Sequence, residues 1–367
     1  MGKKCGIITF NHAVNYGAVF QMLALQRSIE NIGVECEVID YQPEFMVDLY
    51  KKRVLIDWIH PRTLYHTFFN NNYIRYNISG FNNFIRNNIK MSEKVYRDTV
   101  SLLETNNIYD NFIAGSDQVF NLYCSNFDEN YFLKFVVDAN KRNSYAASLG
   151  LDSIPDELKN LYIELLDGVN YLSIREKTGA EVIEKLIERN CEVNVDPTLL
   201  LSKKEWFALS DKYVPDREYV LVYVLSEDKI LFKFARELAK RNKCELYYIN
   251  DRFLARPGMK NLRKVNPERW LSLFFNASAI ITNSFHGVVF SVNFEKKFYP
   301  FLLNKNTRVN SRIRDFLKLV KLEYLLENYC LEKNIEKFSI NFIDCRLILD
   351  KEKNKSVKYL EKVLKNE

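Results

Sequence analysis

Cys5–Phe10, CGIITF, is an apolar run of strand length. A polar loop, NHAVNYG, follows it, and AVFQMLALQRSIENIG then sets Val19, Met22, Leu23, Leu25 and Ile29 at helical spacing. Gly33 fits the stop of that helix, and Val34–Tyr41, VECEVIDY, is a second strand-length run. Near-continuous apolar strands flanking a helix are what a parallel sheet covered on both faces requires. This β-loop-α-β opening therefore constrains the chain to a doubly wound α/β sheet. In such sheets ligands bind outside the carboxyl ends of the strands.

The alternation returns further along. Asn111–Asn121, NFIAGSDQVFN, reads as a strand entering a polar loop, and Arg142–Gly150, RNSYAASLG, as a strand and turn. IPDELKNLYIELLDGV gives a helix, YLSIRE a strand ending at Arg175, KTGAEVIEKLIERN a helix, and CEVNVDPTLLL a strand ending at Asp196-Pro197. The composition breaks over Ser202–Asp216. Beyond it, Tyr219–Leu225, Cys244–Ile249, AIITN and KFYPF read as strands. Lys229–Arg241, Asn266–Ser278 and the region around Val288–Asn293 read as helices, with Pro267 suited to a first turn. The expected architecture is α/β, two Rossmann-like domains facing a cleft. Residues 1–201 form an N-terminal domain, and 202–340 a C-terminal domain. Residues 341–367 form a C-terminal helix that could pack back on the first domain.

A chain of 367 residues with 47% hydrophobic and 14% aromatic residues can bury two substantial cores. Its seven cysteines are scattered and form no CxxC pair, which disfavours zinc-site spacing and a disulfide framework. No metal or cofactor is expected. The N-terminus lacks a signal-peptide core and no run of 18 apolar residues occurs, so a cytoplasmic protein is expected. The net charge of +6, from 53 basic and 47 acidic residues, is too small and dispersed to argue for nucleic acid. It suits an anionic small substrate or an anionic membrane surface.

Residues 43–97 interrupt the alternation with many aromatics and nine Lys/Arg against four Asp/Glu. A helical insertion over about residues 43–100 is expected. It either packs on the first sheet or docks on anionic lipid headgroups at the inner face of a membrane.

Two places carry candidate chemistry. In ITNSFHGVVF, a strand meets a helix at Ser284-Phe285-His286-Gly287, and His286 is one of four histidines in the chain. Ser284 is a good cap, and a helix start at a strand's carboxyl end presents free N–H groups and a positive dipole end to an anion. Gly287 would let a ligand approach the backbone. His286 would face the same anion with a proton to give; a capped helix with a satisfied histidine is the plainer alternative. Arg175 is either a surface arginine paired with Glu176 or a planar fork aimed at a carboxylate or phosphate.

The segments NHAVNYGAVFQMLAL, FIAGSDQVFN, SYAASLG, LSIREKTGAEVI, VNVDPTLLL and IITNSFHGVVFSVNFEKKFYPF together resemble the polysaccharide pyruvyl transferase family, in that family's order. The resemblance implies a fold like that of GT-B glycosyltransferases. It implies phosphoenolpyruvate as donor and co-substrate, a sugar as acceptor, often lipid-linked, and a cyclic pyruvate ketal as product. It puts His286 and Arg175 at the catalytic positions, with Ser284, Phe285, His286 and Gly287 in the donor site. Many members have an arginine where this chain has Ser284. A basic residue some 20 positions past the histidine is expected by the same resemblance, and both Lys305 and Arg308 are candidates. Phe120 stands where the family usually has tryptophan.

For the acceptor, Asn15, Tyr16 and Gly17 before the first helix, and Asp117 and Gln118 in GSDQV, lie at strand carboxyl ends. Loop capping is their plainer role. His12, His60 and His66 are read as ordinary loop or insertion residues. Two other functions fit the same fold: a glycosyltransferase using a nucleotide sugar, and a non-catalytic glycan-binding member of an export complex.

Overall fold

The computed structural model describes residues 3–47, 76–250, 256–303, 310–326 and 339–365. It divides into two compact units, one from residues 1–50, 85–201 and 349–367, the other from 51–84 and 202–348. The division in the middle of the chain falls between Leu201 and Ser202.

In the first unit, strands β1 (Lys4–Ile8), β2 (Glu35–Tyr41), β3 (Met91–Tyr96), β4 (Asn111–Ala114) and β5 (Arg142–Ser144) form one parallel sheet in the order β3-β2-β1-β4-β5. Helix α1 (Tyr16–Asn31) joins β1 to β2 and is buried along most of its length, which is why it is apolar nearly all round. A short helix α2 (Thr99–Leu103) leads from β3 toward β4. After β5 come α3 (Lys159–Asp167), β6 (Ser173–Ile174), α4 (Lys177–Ile187) and β7 (Glu192–Val193). Parallel bridges Asn143–Tyr171 and Ala147–Ile174 carry the order on from β5 to β6, and β6 pairs with β7. Strand order reverses between β1 and β4, so the loops after those two strands occupy the switch point where such folds hold ligands.

The second unit opens with α5 (Lys203–Ala208), whose Ser202 and Glu205 form a capping box. Strands β8 (Tyr219–Tyr223), β9 (Glu245–Ile249), β10 (Lys260–Leu262), β11 (Ala279–Thr282) and β12 (Phe298–Pro300) make a second parallel sheet, β10-β9-β8-β11-β12. Its helices are α6 (Lys229–Arg241), α7 (Pro267–Asn276), α8 (Phe285–Asn293) and α9 (Ser311–Leu319). On α6, Leu231, Phe234, Ala235 and Leu238 recur at helical spacing and are all buried. Fully burying each large side chain is worth about 1.5–3 kcal/mol. Asp228 starts this helix by accepting from the Ile230 and Leu231 N–H groups at 2.7 and 2.9 Å; losing such a cap costs about 0.5–2 kcal/mol. Pro267 stands at the start of α7 behind the Asn266 cap.

The 43–97 segment departs from the expected helical insertion on the first sheet. Its residues 91–96 are β3, paired with β2 through a register shift at Val38/Asp40. MSEKVY has only Val95 and Tyr96 as strong strand formers, so its pattern alone does not mark a strand. Residues 76–88 are helical, and the described residues 76–84 belong with the second unit. There the Asn77 amide donates to the Arg263 carbonyl at 3.4 Å, and the Lys264 ammonium lies 5.2 Å from the Tyr76 ring centre. Gly80 makes the approach possible, since a Cβ there would stand 3.0 Å from Asn266 Cβ at the start of α7. Residues 48–75, with Lys51, Lys52, Arg53, His60 and His66, lie outside the described residues.

The last helix, α10, runs over Phe342–Lys365. Its C-terminal part is held in the first unit: Tyr359 Oη donates to the Ser144 carbonyl at 2.8 Å, and Ser356 Oγ accepts from Val195 N at 3.1 Å. Among the described residues no helix is long and apolar enough to cross a membrane.

Candidate active site

In the first unit the loops after β1 and β4 are tied together from beneath. Thr9 Oγ1 donates to the Ser116 carbonyl at 3.0 Å, while Gln21 Nε2 of α1 donates to Thr9 Oγ1 at 3.0 Å. Gln21 Oε1 accepts from Ser116 N at 2.9 Å. All three residues are fully buried, so this network fixes both loops in a low-dielectric setting. The β4 loop then passes Gly115, where φ is 121° and a Cβ would meet the Tyr145 carbonyl at 2.4 Å. Asp117 follows with φ 72°, a costly conformation for a residue with a side chain.

Arg175 is what grips Asp117. It follows β6, and its N–H donates to the Ala147 carbonyl at 2.9 Å. Its side chain is 1% exposed. Nη1 donates to Asp196 Oδ2 at 2.7 Å, Nη2 to Asp117 Oδ1 at 3.2 Å, and Nε stands 3.9 Å from Glu176 Oε2. Burial opposes the guanidinium's charge, but Asp196, Asp117 and Glu176 outweigh it and the pKa moves up. The surface-arginine reading is thus excluded. Two of its terminal N–H groups are engaged by Asp196 and Asp117. Arg175 thereby ties the β4 loop to the end of β6. Glu176 extends the tie, accepting from Ser148 Oγ at 2.9 Å and Gly150 N at 3.0 Å.

Of the expected acceptor residues, Asn15 caps α1, its Oδ1 accepting from Gly17 N at 2.9 Å and Ala18 N at 3.3 Å. Gly17 is buried in the first turn, and Tyr16 is half-buried beside it. Gln118 opens the turn after Asp117, packed closely against Gly150. Phe120, in the family's tryptophan position, stacks on Phe132 at 4.6 Å and is fully buried.

A pair set aside in the sequence sits at the same strand ends. His12 Nε2 lies 2.6 Å from Asp40 Oδ1. That oxygen also accepts from Asn11 Nδ2 and Gln42 Nε2, each at 3.0 Å. Burial alone would raise the Asp40 carboxyl, but the hydrogen bonds from His12, Gln42 and Asn11 prevail and hold it below the usual carboxylate range. His12 follows β1, and Asp40 lies in its parallel neighbour β2.

In the second unit the strand-to-helix junction forms as expected. Ser284 is extended and caps α8, its Oγ accepting from Gly287 N at 3.4 Å. Asn283 fixes the turn beneath, accepting from Leu225 N and donating to the Ser226 carbonyl, both at 2.7 Å. Tyr223, at the end of β8, has its phenol pushed up by burial and bonds Ser284. His286 is 7% exposed and packs edge-on to Phe285 at 5.2 Å. Gly287 has a packing role. A Cβ there would fall 2.2 Å from Thr282 Oγ1 on β11, so the missing side chain serves close helix–strand packing.

Lys305 and Arg308 lie outside the described residues. A cation the sequence reading passed over does reach this junction: Arg312, buried at the start of α9, has its guanidinium 5.9 Å from the Phe285 ring centre. Three arginines crowd this stretch, at 308, 312 and 314, and local spacing does not distinguish them. Among the described residues no group of three or more His, Cys, Asp or Glu is arranged to hold a metal ion.

Two parallel doubly wound sheets, each with polar side chains gathered at strand carboxyl ends, define an α/β protein of two Rossmann-like units. Within that class the chain belongs to the polysaccharide pyruvyl transferase family, whose profile matches residues 15–305. Among curated proteins none matches. Solved structures with similarity include MnaA from S. aureus with UDP, at 12% identity and TM-score 0.49, covering 87% of this chain and 83% of that one. UDP-GlcNAc 2-epimerase from Methanocaldococcus jannaschii gives 12% identity, TM-score 0.45 and 87% coverage of each chain. The glycosyltransferase SnogD from Streptomyces nogalater gives 10%, 0.40, and coverage of 100% and 95%. At these scores the fold class rests on the two sheets themselves.

Proposed function

We propose that this protein moves the enolpyruvyl group of phosphoenolpyruvate onto two hydroxyls of a sugar in a surface-polysaccharide precursor, releasing phosphate and closing a cyclic ketal. The observation that carries this reading is the junction at the start of α8. A capped helix start, His286 and the buried Arg312 converge there, in a chain of this family.

Phosphoenolpyruvate carries a carboxylate and a phosphate close together. Backbone N–H groups at a helix start and a guanidinium are the donors such an ion needs. With Arg175 engaged internally, Arg312 is the described cation best suited to this part. Lys305 and Arg308 remain candidates from the sequence. The reaction requires a proton at the methylene carbon, which makes the adjacent carbon electrophilic. His286 is the acid in this reading, a role worth about 10²–10⁴-fold in rate. One sugar hydroxyl then adds, phosphate leaves, and a second hydroxyl closes the ring. The first unit holds the acceptor, through the loops that carry Asn15, Tyr16, Asp117 and Gln118. A lipid-linked oligosaccharide is the proposed acceptor.

Thermal shift tests the donor. Phosphoenolpyruvate should raise the melting temperature, and Arg312→Gln should diminish that rise. Stabilisation by nucleotide sugars with none by phosphoenolpyruvate would point to a glycosyltransferase instead.

A further inference from the structure

Building on the sugar-acceptor reading above, we propose that His12 is the base that takes the proton from the attacking sugar hydroxyl, with Asp40 fixing its ring.

Three donors converge on one Asp40 oxygen: His12 Nε2 at 2.6 Å, Asn11 Nδ2 at 3.0 Å and Gln42 Nε2 at 3.0 Å. The Asp40 backbone is pinned as well, its N–H donating to Ser92 Oγ at 2.8 Å. An ionised carboxylate only accepts hydrogen bonds. Nε2 must therefore carry the hydrogen, so that whenever the ring is neutral its lone pair lies on Nδ1. This is how a second group sets a histidine's tautomer and prepares it as a base. Asp40 also stabilises the imidazolium that forms when Nδ1 takes a proton.

Place and exposure fit that task. His12 stands in the loop after β1, beside the point where strand order reverses. Its side chain is 33% exposed, against 17% for Asp40, so the ring is open to a ligand while its partner is sheltered. A pin holding the loop shut would need no such asymmetry.

In the step itself the sugar O–H bond breaks and its proton goes to His12 Nδ1. The oxygen's electron pair forms the bond to C2 of the pyruvyl donor, whose double-bond pair takes a proton at C3. Over the whole reaction two hydroxyl protons are lost. One is balanced by the new methyl group and one leaves on phosphate.

The experiment uses the intact chain. With only four histidines, the ring nitrogens of His12 can be identified in a ¹⁵N spectrum by their loss in His12→Gln. The expected state is Nε2–H with an unprotonated Nδ1, perturbed when methyl hexopyranosides are added. The glutamine variant can still donate to Asp40 but has no base. It should lower kcat by about 10²–10⁴-fold and leave the KM for phosphoenolpyruvate unchanged. Asp40→Asn should shift the tautomer signal and lower kcat less. An Nδ1–H tautomer, ring signals that ignore every sugar, or a glutamine variant that turns over like wild type would each overturn the role of His12. Wild-type protein that releases no phosphate from phosphoenolpyruvate would instead defeat the pyruvyl-transfer reading. The spectrum needs no donor and would still decide on His12.

Discussion

Arg175 Nη1 donates to Asp196 Oδ2 at 2.7 Å, and both side chains are 1% exposed. A buried pair with this geometry is costly to break, because removing one partner strands the other's charge. Arg175→Ala should therefore lower unfolding free energy by about 3–5 kcal/mol. Arg175→Lys should lose less stability, since it keeps the charge but not the planar fork. Denaturant titration reads both. A lysine variant as stable as wild type, with a raised KM for phosphoenolpyruvate, would restore Arg175 to the donor site.

Gly287→Ala should destabilise by about 1–3 kcal/mol, the usual cost of overpacking. The new Cβ meets Thr282 Oγ1 at 2.2 Å and Cγ2 at 3.1 Å. Adding Thr282→Ala removes both atoms and should restore part of the loss. No recovery in the double variant would mean that Gly287 is required for something other than this packing.

Asp40 makes a pH prediction whose sign is fixed. Its carboxyl is held below the ordinary range, chiefly by His12 against the effect of burial. A depressed pKa stabilises the fold above the unfolded value of about 3.9, and that contribution fades as pH falls through the folded value. Asp40→Asn should thus be less stable than wild type at pH 7, with the gap narrowing as pH falls below about 4. A gap independent of pH would contradict the assignment.

His286→Gln should leave the melting curve in place and lower turnover by about 10²–10⁴-fold. A glutamine enzyme with more than about a tenth of the wild-type rate would remove the general-acid role.

The basic excess of residues 43–97 predicts salt-sensitive attraction to anionic lipid. Each basic residue near such a surface contributes about 1 kcal/mol. Co-sedimentation with anionic vesicles should fall when Lys51, Lys52 and Arg53 are changed to Glu. Binding indifferent to salt and lipid charge would oppose it.

The sheets were legible because buried parallel strands read as continuous apolar runs, as in YVLVYVL, and because Ser284, Asn266 and Asp228 are caps by residue type. Strand β3 was not, since an edge strand such as MSEKVY needs little apolar content. Within the site, the junction at His286 could be read from neighbouring residues. The Arg175–Asp196–Asp117 and His12–Asp40 contacts could not, because each joins residues 21 or more positions apart in sequence. Local spacing carries no information on such pairs. The packing of Gly287 on Thr282 was not legible either, since it depends on how the turn between strand and helix folds back.

The most direct test is mass spectrometry of lipid-linked glycans incubated with the protein and phosphoenolpyruvate. The account predicts a gain of about 70 Da, one pyruvate less one water, on a sugar with two free hydroxyls. It also predicts one phosphate released per product and loss of both signals in His286→Gln. A glycan that instead gains a whole sugar from a nucleotide donor, or stays unchanged while phosphoenolpyruvate is left intact, would contradict it.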